Sequence, residues 1–129
     1  MTDTETHVLV VDDDNLLRRS LVDKLTDAGF HVAEAADGTN GLKMAMETRP
    51  QVILLDQQMP DMSGVETLKQ LRQDEWGKNV EVIFATNLYD PRVINDAIAH
   101  GVHDYVLKAD VTLEQIVDLV KKYVPLQPN

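Results

Sequence analysis

The amino-acid sequence predicts an α/β protein in which five strand–helix units, a (βα)5 arrangement, form a doubly wound, five-stranded parallel sheet. Two observations predict this fold class. Short apolar runs alternate along the 129 residues with segments whose apolar residues recur at helical spacing, and this alternation is typical of a parallel sheet covered by helices on both faces. The run Val52–Leu55 contains no polar residue, as expected for a strand that is buried on both faces.

The predicted strands are short runs rich in β-branched and other apolar residues. In chain order they are His7–Val11, Phe30–Ala35, Val52–Leu55, Val80–Thr86 and Asp104–Leu107. Parallel strands need long crossover connections, usually helices, and each of these runs is followed by a segment with helical spacing. We therefore expect one domain over residues 1–129, with a core at about 7–124, a short polar tail at 125–129 and no output domain.

Five helices are predicted from apolar residues that share one helical face. In chain order these residues are Leu17, Leu21 and Leu25; Leu42, Ala45 and Met46; Val65, Leu68 and Leu71; Val93, Ile94, Ala97 and Ile98; and Leu113, Ile116, Val117, Val120 and Val124. Asp90 and Pro91 are typical of a helix start, with the aspartate as N-cap. The pair Asp37-Gly38 is typical of a turn. Helix ends are marked at Gly29, Pro50, Gly101 and Pro125.

Composition and charge exclude several classes of protein. Acidic residues number 22 against 12 basic ones, which gives a formal net charge of −10, so we expect no direct binding to nucleic acid or to an anionic membrane. The absence of cysteine excludes disulfides and thiolate metal sites. No apolar run is long enough to span a membrane and no secretory signal begins the sequence, so we expect a cytoplasmic protein. Solubility and a cation site explain the acidic excess equally well.

Polar residues of particular kinds stand at the carboxyl ends of four predicted strands. Asp12 and Asp13 follow the first strand and Asp56 the third, while Thr86 ends the fourth and Lys108 follows the fifth. These strand ends meet at one edge of a parallel sheet, where open α/β sheets bind ligands. Clustered carboxylates tolerate one another around a divalent cation, and ligation by oxygen alone favours Mg²⁺ or Mn²⁺. With a hydroxyl and an ammonium group nearby, the set suits phosphoryl transfer to a carboxylate nucleophile.

Each of these residues also has an ordinary structural role when it is considered alone. Strand-end aspartates often cap helices, and we expect Asp14 to cap the first one. Tyr105 alone is typical of a partly buried core aromatic. The histidines show no ligand spacing and are expected at the surface; they are His7, His31, His100 and His103. The functional interpretation therefore depends on the combination of residues at successive strand ends.

The motifs around the strand ends resemble those of response regulator receiver domains of two-component signalling, the CheY-like superfamily. Val8–Asp13 resembles the acidic-pair motif, and Ile53–Asp56 followed by Met59–Gly64 is similar to the phosphoacceptor motif. Val82–Thr86 resembles the strand that ends in the switch hydroxyl, and Asp104–Lys108 resembles the fifth strand with its aromatic residue before the lysine. The resemblance covers nearly the whole chain and implies the flavodoxin-like strand order 2-1-3-4-5.

A magnesium site is implied by this resemblance, with Mn²⁺ as an alternative. Asp13 and Asp56 would bind the cation through their carboxylates, and the backbone carbonyl of Gln58 would be a third protein ligand. Asp12 would act through a metal-bound water. No further cofactor is implied.

The same resemblance assigns the phosphorylation and switching roles. Asp56 is the phosphorylated residue, and Lys108 and Thr86 are the groups that contact the phosphoryl oxygens. Lys108 would pair with Asp56 before phosphorylation. Thr86 and Tyr105 form the switch: the hydroxyl moves to the phosphoryl group and the ring turns inward, which changes the surface around the fourth helix, the fifth strand and the fifth helix.

The sequence departs from the family pattern beside two of these residues. Many receivers have a proline after the lysine, joined by a cis bond, whereas this chain has Ala109. A cis bond before a residue other than proline costs about 3 kcal/mol, so we expect a trans bond and a slightly different position for Lys108. Position 87 is usually small and here is Asn87, whose amide would crowd the phosphoryl site or hydrogen-bond near it. Gln58 and Leu88 would flank the path by which water reaches the phosphoryl group, so the sequence is compatible with both a long and a short phosphoryl lifetime.

The resemblance implies a signalling phosphoacceptor that catalyses only its own phosphorylation and dephosphorylation and is not otherwise an enzyme. Its partners would be a sensor histidine kinase or phosphotransfer protein and a downstream protein, and it would be a monomer or a weak homodimer. A single-domain regulator is favoured, and a receiver excised from a larger or hybrid protein is the alternative. An aspartyl-phosphate phosphatase would need an acid where Gln58 stands. A flavodoxin-like electron carrier would need a phosphate-binding loop where three aspartates follow the first strand.

Overall fold

Five strands and five helices alternate along residues 5–125, the part of the chain that the computed structural model describes. The strands are β1 (Val8–Val11), β2 (Val32–Ala35), β3 (Val52–Leu55), β4 (Glu81–Thr86) and β5 (Asp104–Leu107). The helices are α1 (Asn15–Asp27), α2 (Gly38–Thr48), α3 (Gly64–Arg72), α4 (Pro91–Ala99) and α5 (Leu113–Tyr123), and a 3-10 turn spans Lys108–Asp110. The predicted (βα)5 arrangement is confirmed, although β1, β2 and β4 begin one or two residues later than expected. Most of the predicted polar tail, 126–129, lies outside the described residues.

All neighbouring strands of the sheet are parallel, in the order β2-β1-β3-β4-β5. The strand order implied by the resemblance is therefore confirmed. Every residue of β1 and β3 is buried, as the unbroken apolar run of β3 predicted. Val11 pairs with Leu55 at the carboxyl ends of these two strands, so the residues that follow them leave the sheet side by side.

Two apolar cores, one on each face of the sheet, hold the helices in place. Successive strand residues point to opposite faces, so Leu9 and Ile53 pack with α2, α3 and α4 in one core. Val8 and Leu54 pack with α1 and α5 in the other core. The predicted doubly wound architecture follows from this division, and it leaves the carboxyl edge of the sheet free for polar groups.

Two expectations about the helices were wrong. Asp37 and Gly38 do not form a free turn: Asp37 is the N-cap of α2 and accepts the Asn40 N–H at 2.8 Å. Aspartate and glycine suit both settings, and position 38 has little room for a side chain, because a Cβ there would lie 2.6 Å from Thr67 Oγ1 and 3.0 Å from Met62. Ile98 was expected to face the core but is 58% exposed, while the neighbouring Ala97 is fully buried. The short helix α4 presents a narrower apolar face than its sequence indicates.

Arg72, the last residue of α3, joins two loops by donating hydrogen bonds to their backbone carbonyls. Its Nε lies 2.8 Å from the His100 carbonyl oxygen at the end of α4. Its Nη1 lies 2.8 Å from the carbonyl oxygens of both Gly77 and Val80. Burial lowers the pKa of Arg72 from its ordinary value. The guanidinium thus donates to three backbone carbonyls, at the end of the fold remote from the strand-end acids.

Two of the four histidines are exposed as expected and the other two are not, and His7 makes a contact at the amino edge of the sheet. His31 and His103 are exposed, whereas His7 and His100 are half-buried. The backbone N–H of His31 donates to Nδ1 of His7 at 2.9 Å, and the two rings lie 5.0 Å apart. Burial and the neighbouring His31 ring both lower the pKa of His7.

Candidate acidic site at the carboxyl edge of the sheet

Three carboxylates meet where β1 and β3 end. One oxygen from each of Asp12, Asp13 and Asp56 lies within 4.8 Å of the other two. Asp12 and Asp56 are 3% and 5% exposed, and Asp13 is exposed at the mouth. The sheet fixes this arrangement, because the backbone N–H of Asp56 donates to the Val11 carbonyl at 3.0 Å. The residues predicted to bind a cation are therefore brought together, in a pocket whose donors suit a divalent metal ion.

Lys108 places its ammonium group between the two buried acids. Its Nζ lies 2.6 Å from Oδ2 of Asp12 and 3.3 Å from Oδ2 of Asp56. Burial acts to lower the pKa of Lys108, but the two carboxylates outweigh burial and raise it, so the side chain is charged. Burial raises the pKa of Asp12 even though Lys108 opposes this shift. Lysine was expected to pair with Asp56, and the structure adds a shorter contact with Asp12.

The loop after Asp56 is held by hydrogen bonds to the start of α3. Gln57 is nearly buried, and its backbone oxygen and side-chain Oε1 accept the N–H groups of Gly64 and Val65, each at 2.9 Å. The next residue, Gln58, lies beside Asp56 and lines the open cleft of about 340 Å³ above the acids. Its predicted role as a metal ligand through the backbone carbonyl stays a prediction.

Thr86 ends β4, where it pairs with Leu107, and Tyr105 lies on the neighbouring β5, where it pairs with Phe84. Thr86 is fully buried, and its hydroxyl accepts the Leu88 N–H at 3.3 Å. The Tyr105 ring is half-buried and stacks on Phe84 with the ring centroids 5.6 Å apart. Its hydroxyl donates to the Leu88 carbonyl at 2.7 Å. Both predicted switch residues therefore contact the same residue of the loop between β4 and α4.

Three further expectations concern residues at the rim of the site. Asp14 caps α1 as predicted, accepting the Leu17 N–H at 3.1 Å. The bond between Lys108 and Ala109 is trans, as expected for a residue other than proline. Asn87 is exposed, lines the cleft, and accepts the Ala109 N–H at 3.1 Å through Oδ1. The Asn87 amide was predicted either to crowd the site or to hydrogen-bond near it, and in the structure it forms the hydrogen bond.

Comparison with known proteins agrees with this geometry. Residues 8–121 match the sequence profile of the response regulator receiver domain. The chain belongs to the response regulator receiver family. It is 31% identical over 122 residues to sporulation initiation phosphotransferase F of Bacillus subtilis, covering 95% of this receiver and 96% of that protein.

Other relatives and solved structures extend the same comparison. The receiver is 39% identical over 113 residues to the transcriptional regulatory protein PrrA of Mycobacterium tuberculosis, covering 88% of this chain but only 48% of PrrA. It superposes on the Vibrio cholerae chemotaxis protein CheY4 with a TM-score of 0.83 at 30% identity, over 92% of this chain and 98% of that one. The receiver thus matches some relatives over their full length and spans about half of others. None of the helices in residues 5–125 is long and apolar enough to cross a membrane.

Two contributors to the site were not found from the sequence. Gln57 is one of them, because a glutamine after a strand carries no distinctive sequence signal. Arg18 lies in the first turns of α1, where its Nη1 donates to the Asp12 carbonyl at 2.8 Å while its Nε pairs with Glu34 of β2 at 2.8 Å. This arginine fixes the backbone from which the first acids project. Its spacing from Asp12 is unremarkable, so only the folded geometry reveals its role.

Proposed function

We propose that this receiver accepts a phosphoryl group on Asp56 in a reaction that depends on a divalent cation. The observation that carries the proposal is the contact of Asp56 with both Lys108, at 3.3 Å, and the neighbouring acids, within 4.8 Å. One carboxylate oxygen can then face the cation while the ammonium stabilises charge on an incoming group. Asp56 is almost buried yet lines the cleft, so a small phosphoryl donor can reach it from one side.

The residues present fit a divalent cation. Three carboxylates against one ammonium leave the pocket with an excess of negative charge, and hard oxygen donors favour Mg²⁺ or Mn²⁺. Asp13 and Asp56 would hold the ion, with the carbonyl of Gln58 and a water bound to Asp12 completing its surroundings. When bound, the cation would neutralise charge on the oxygens of the transferred group.

Transfer itself needs an in-line approach and correctly placed charges. An Asp56 oxygen forms a new bond to phosphorus as the P–N bond of a donor phosphohistidine breaks. The bonding electron pair leaves with the imidazole nitrogen, which takes up a proton from solvent. Lys108 moves from its pair with Asp12 and Asp56 onto a phosphoryl oxygen, and the Thr86 hydroxyl binds another. A histidine kinase or a phosphotransfer protein supplies the phosphohistidine.

Phosphorylation changes the surface through the loop between β4 and α4. Thr86 and Tyr105 both hydrogen-bond to Leu88 in that loop, so recruitment of the Thr86 hydroxyl to the phosphoryl group disturbs contacts that also hold the tyrosine. The surface of α4, β5 and α5 then differs between the two states, and a downstream protein binds one of them better. A phosphatase that uses Asp56 has less support, because the side chain at position 58 is an amide.

Intact mass measurement after a rapid acid quench tests the proposal. The protein is mixed with Mg²⁺ and either acetyl phosphate or phosphoramidate, whose P–N bond stands in for phosphohistidine. We expect one added phosphoryl mass that disappears without Mg²⁺ and in Asp56→Asn. Asp118→Asn, an exposed acid on α5 far from the cleft, is the matched control and should be phosphorylated normally. No added mass at the shortest quench time, from a protein that binds Mg²⁺, would sink the phosphoacceptor role.

A further inference from the structure

Asn87 and Ala109, the two residues that depart from the receiver pattern, contact each other. Ala109 has a backbone N–H where many receivers have a proline, which has none. Asn87 has a side-chain acceptor where most have a small residue. In this protein the Ala109 N–H donates to Oδ1 of Asn87 at 3.1 Å. Each departure therefore supplies one half of a hydrogen bond that the common pattern lacks.

This bond joins the two loops that carry Thr86 and Lys108. The parallel pairing of β4 with β5 ends at Thr86 and Leu107, and the chain then turns through Lys108–Asp110. Within residues 5–125, no backbone hydrogen bond links this turn to the loop between β4 and α4. Among the described residues, the hydrogen bonds and ion pairs that join the turn to the rest of the site are the two Lys108 ion pairs and the Asn87 bond. Of these contacts, only the Asn87 bond involves the backbone of the turn.

The direction of the bond also fixes the Asn87 amide. A backbone N–H can donate only to Oδ1, so the NH2 group is the part of the amide left free of this contact. Asn87 lines the same cleft as Asp56 and Lys108. A carbonyl oxygen there would repel a phosphoryl group, and the Ala109 bond keeps that oxygen engaged.

We propose that Asn87 is a positioning residue that holds the Lys108 turn against the switch loop through the Ala109 N–H. The proposal rests on the proposed function only for its kinetic readout. Lys108 has a flexible four-carbon stem with many rotamers. The position of its Cα therefore decides what fraction of these rotamers brings the ammonium group to the acids. Asn87 acts on phosphoryl transfer through Lys108 and not by contact with the reacting atoms.

Amide hydrogen exchange of Ala109, measured by NMR, tests the bond without any phosphorylation. In Asn87→Ala we expect Ala109 to exchange about three- to tenfold faster, the range that one hydrogen bond near the surface provides. Asn87→Asp keeps an acceptor oxygen and should preserve the protection. Asn95→Ala, an exposed asparagine on α4, is the matched control and should leave Ala109 unchanged. The Lys108 side-chain resonances should shift in Asn87→Ala and stay unchanged in Asn95→Ala. Unchanged Ala109 exchange and unchanged Lys108 resonances in Asn87→Ala would overturn the proposal.

A double-mutant cycle with Lys108 tests the route of action. At saturating Mg²⁺ we expect Asn87→Ala to slow phosphorylation by acetyl phosphate about three- to tenfold, and to have no further effect when Lys108→Ala is already present. An equal slowing in both backgrounds would mean that Asn87 acts directly, and the positioning role would be wrong. Failure of the wild type to be phosphorylated would refute the proposed function, while the NMR result would still decide the contact between Asn87 and the Lys108 turn.

Discussion

Gly64, the first residue of α3, offers the sharpest test of how Asp56, the proposed phosphoacceptor, is held. A Cβ at position 64 would lie 2.4 Å from the Asp56 carbonyl oxygen and 2.9 Å from the Gln57 Cα. Ordinary contact begins at 3.4 Å, so in Gly64→Ala either the helix or the strand end must move by about 1 Å. Overpacking of this kind costs about 1–3 kcal/mol, which lowers the melting temperature by about 4–12 °C in a domain of this size.

The expected effect on function is larger than the effect on stability. A misplacement of about 1 Å at a reacting group can slow a reaction by about 100-fold, so we expect Gly64→Ala to lower the rate of Asp56 phosphorylation at least tenfold at saturating Mg²⁺. The assay is the rise of phosphorylated mass after acid quench, recorded at a temperature where circular dichroism shows the variant folded.

Gly77→Ala supplies the control for a purely structural defect. Its Cβ would lie 2.2 Å from the Leu71 carbonyl oxygen, an equally severe clash, but in the loop after α3 and away from the acidic pocket. We expect similar losses of melting temperature in the two variants and slow phosphorylation only in Gly64→Ala. Equal phosphorylation rates in both variants would refute the reasoning that Gly64 positions Asp56.

Three further predictions concern stability. Arg72→Met should lower the free energy of unfolding by about 2–3 kcal/mol in urea titration, because three backbone carbonyls lose their charged donor; a loss below 0.5 kcal/mol would contradict that role. The pKa of His7 is lowered, so its unfolded form binds a proton more readily; stability should fall as the pH decreases from about 6.5, and His7→Gln should flatten this slope in calorimetry. The Gly38 N–H, the Thr39 N–H and the Thr39 hydroxyl donate to Asp61 and hold its pKa at about 2. The stabilising contribution of Asp61 should therefore be complete above pH 3.8 and lost as the pH falls through 2, and Asp61→Asn should remove that acid-side loss of melting temperature.

The strand-end residues were predictable because a parallel sheet leaves little freedom in where they lie. Once five strands and their direction are known, Asp12, Asp56 and Thr86 must emerge at one edge, and the fully apolar run of β3 marks the centre of the sheet. Helix caps such as Asp14 were also predictable, since capping depends on only a few neighbouring residues.

Contacts made by long or adaptable side chains were not predictable in the same way. The reach of Lys108 to Asp12 depends on its rotamer, and the role of Arg72 depends on two loops that come together only in the fold. The Asp37-Gly38 pair predicts a turn where the structure has a helix start, because the sequence signals of the two overlap. Periodicity predicts Ile98 in the core because it shares a helical face with buried residues. Periodicity does not show how much of that face the neighbouring elements cover.

The acidic site is assembled from distant parts of the chain, and this has a consequence for folding. Asp56 and Lys108 are 52 positions apart, and the sheet that brings them together also brings Asp12 beside them. The unfolded chain therefore lacks the site, and a cation held by these groups binds the native state alone. At a concentration 100 times its dissociation constant such a ligand stabilises the fold by about 2.7 kcal/mol. Thermal unfolding across a series of cation concentrations would thus report affinity and selectivity directly, without any phosphoryl donor.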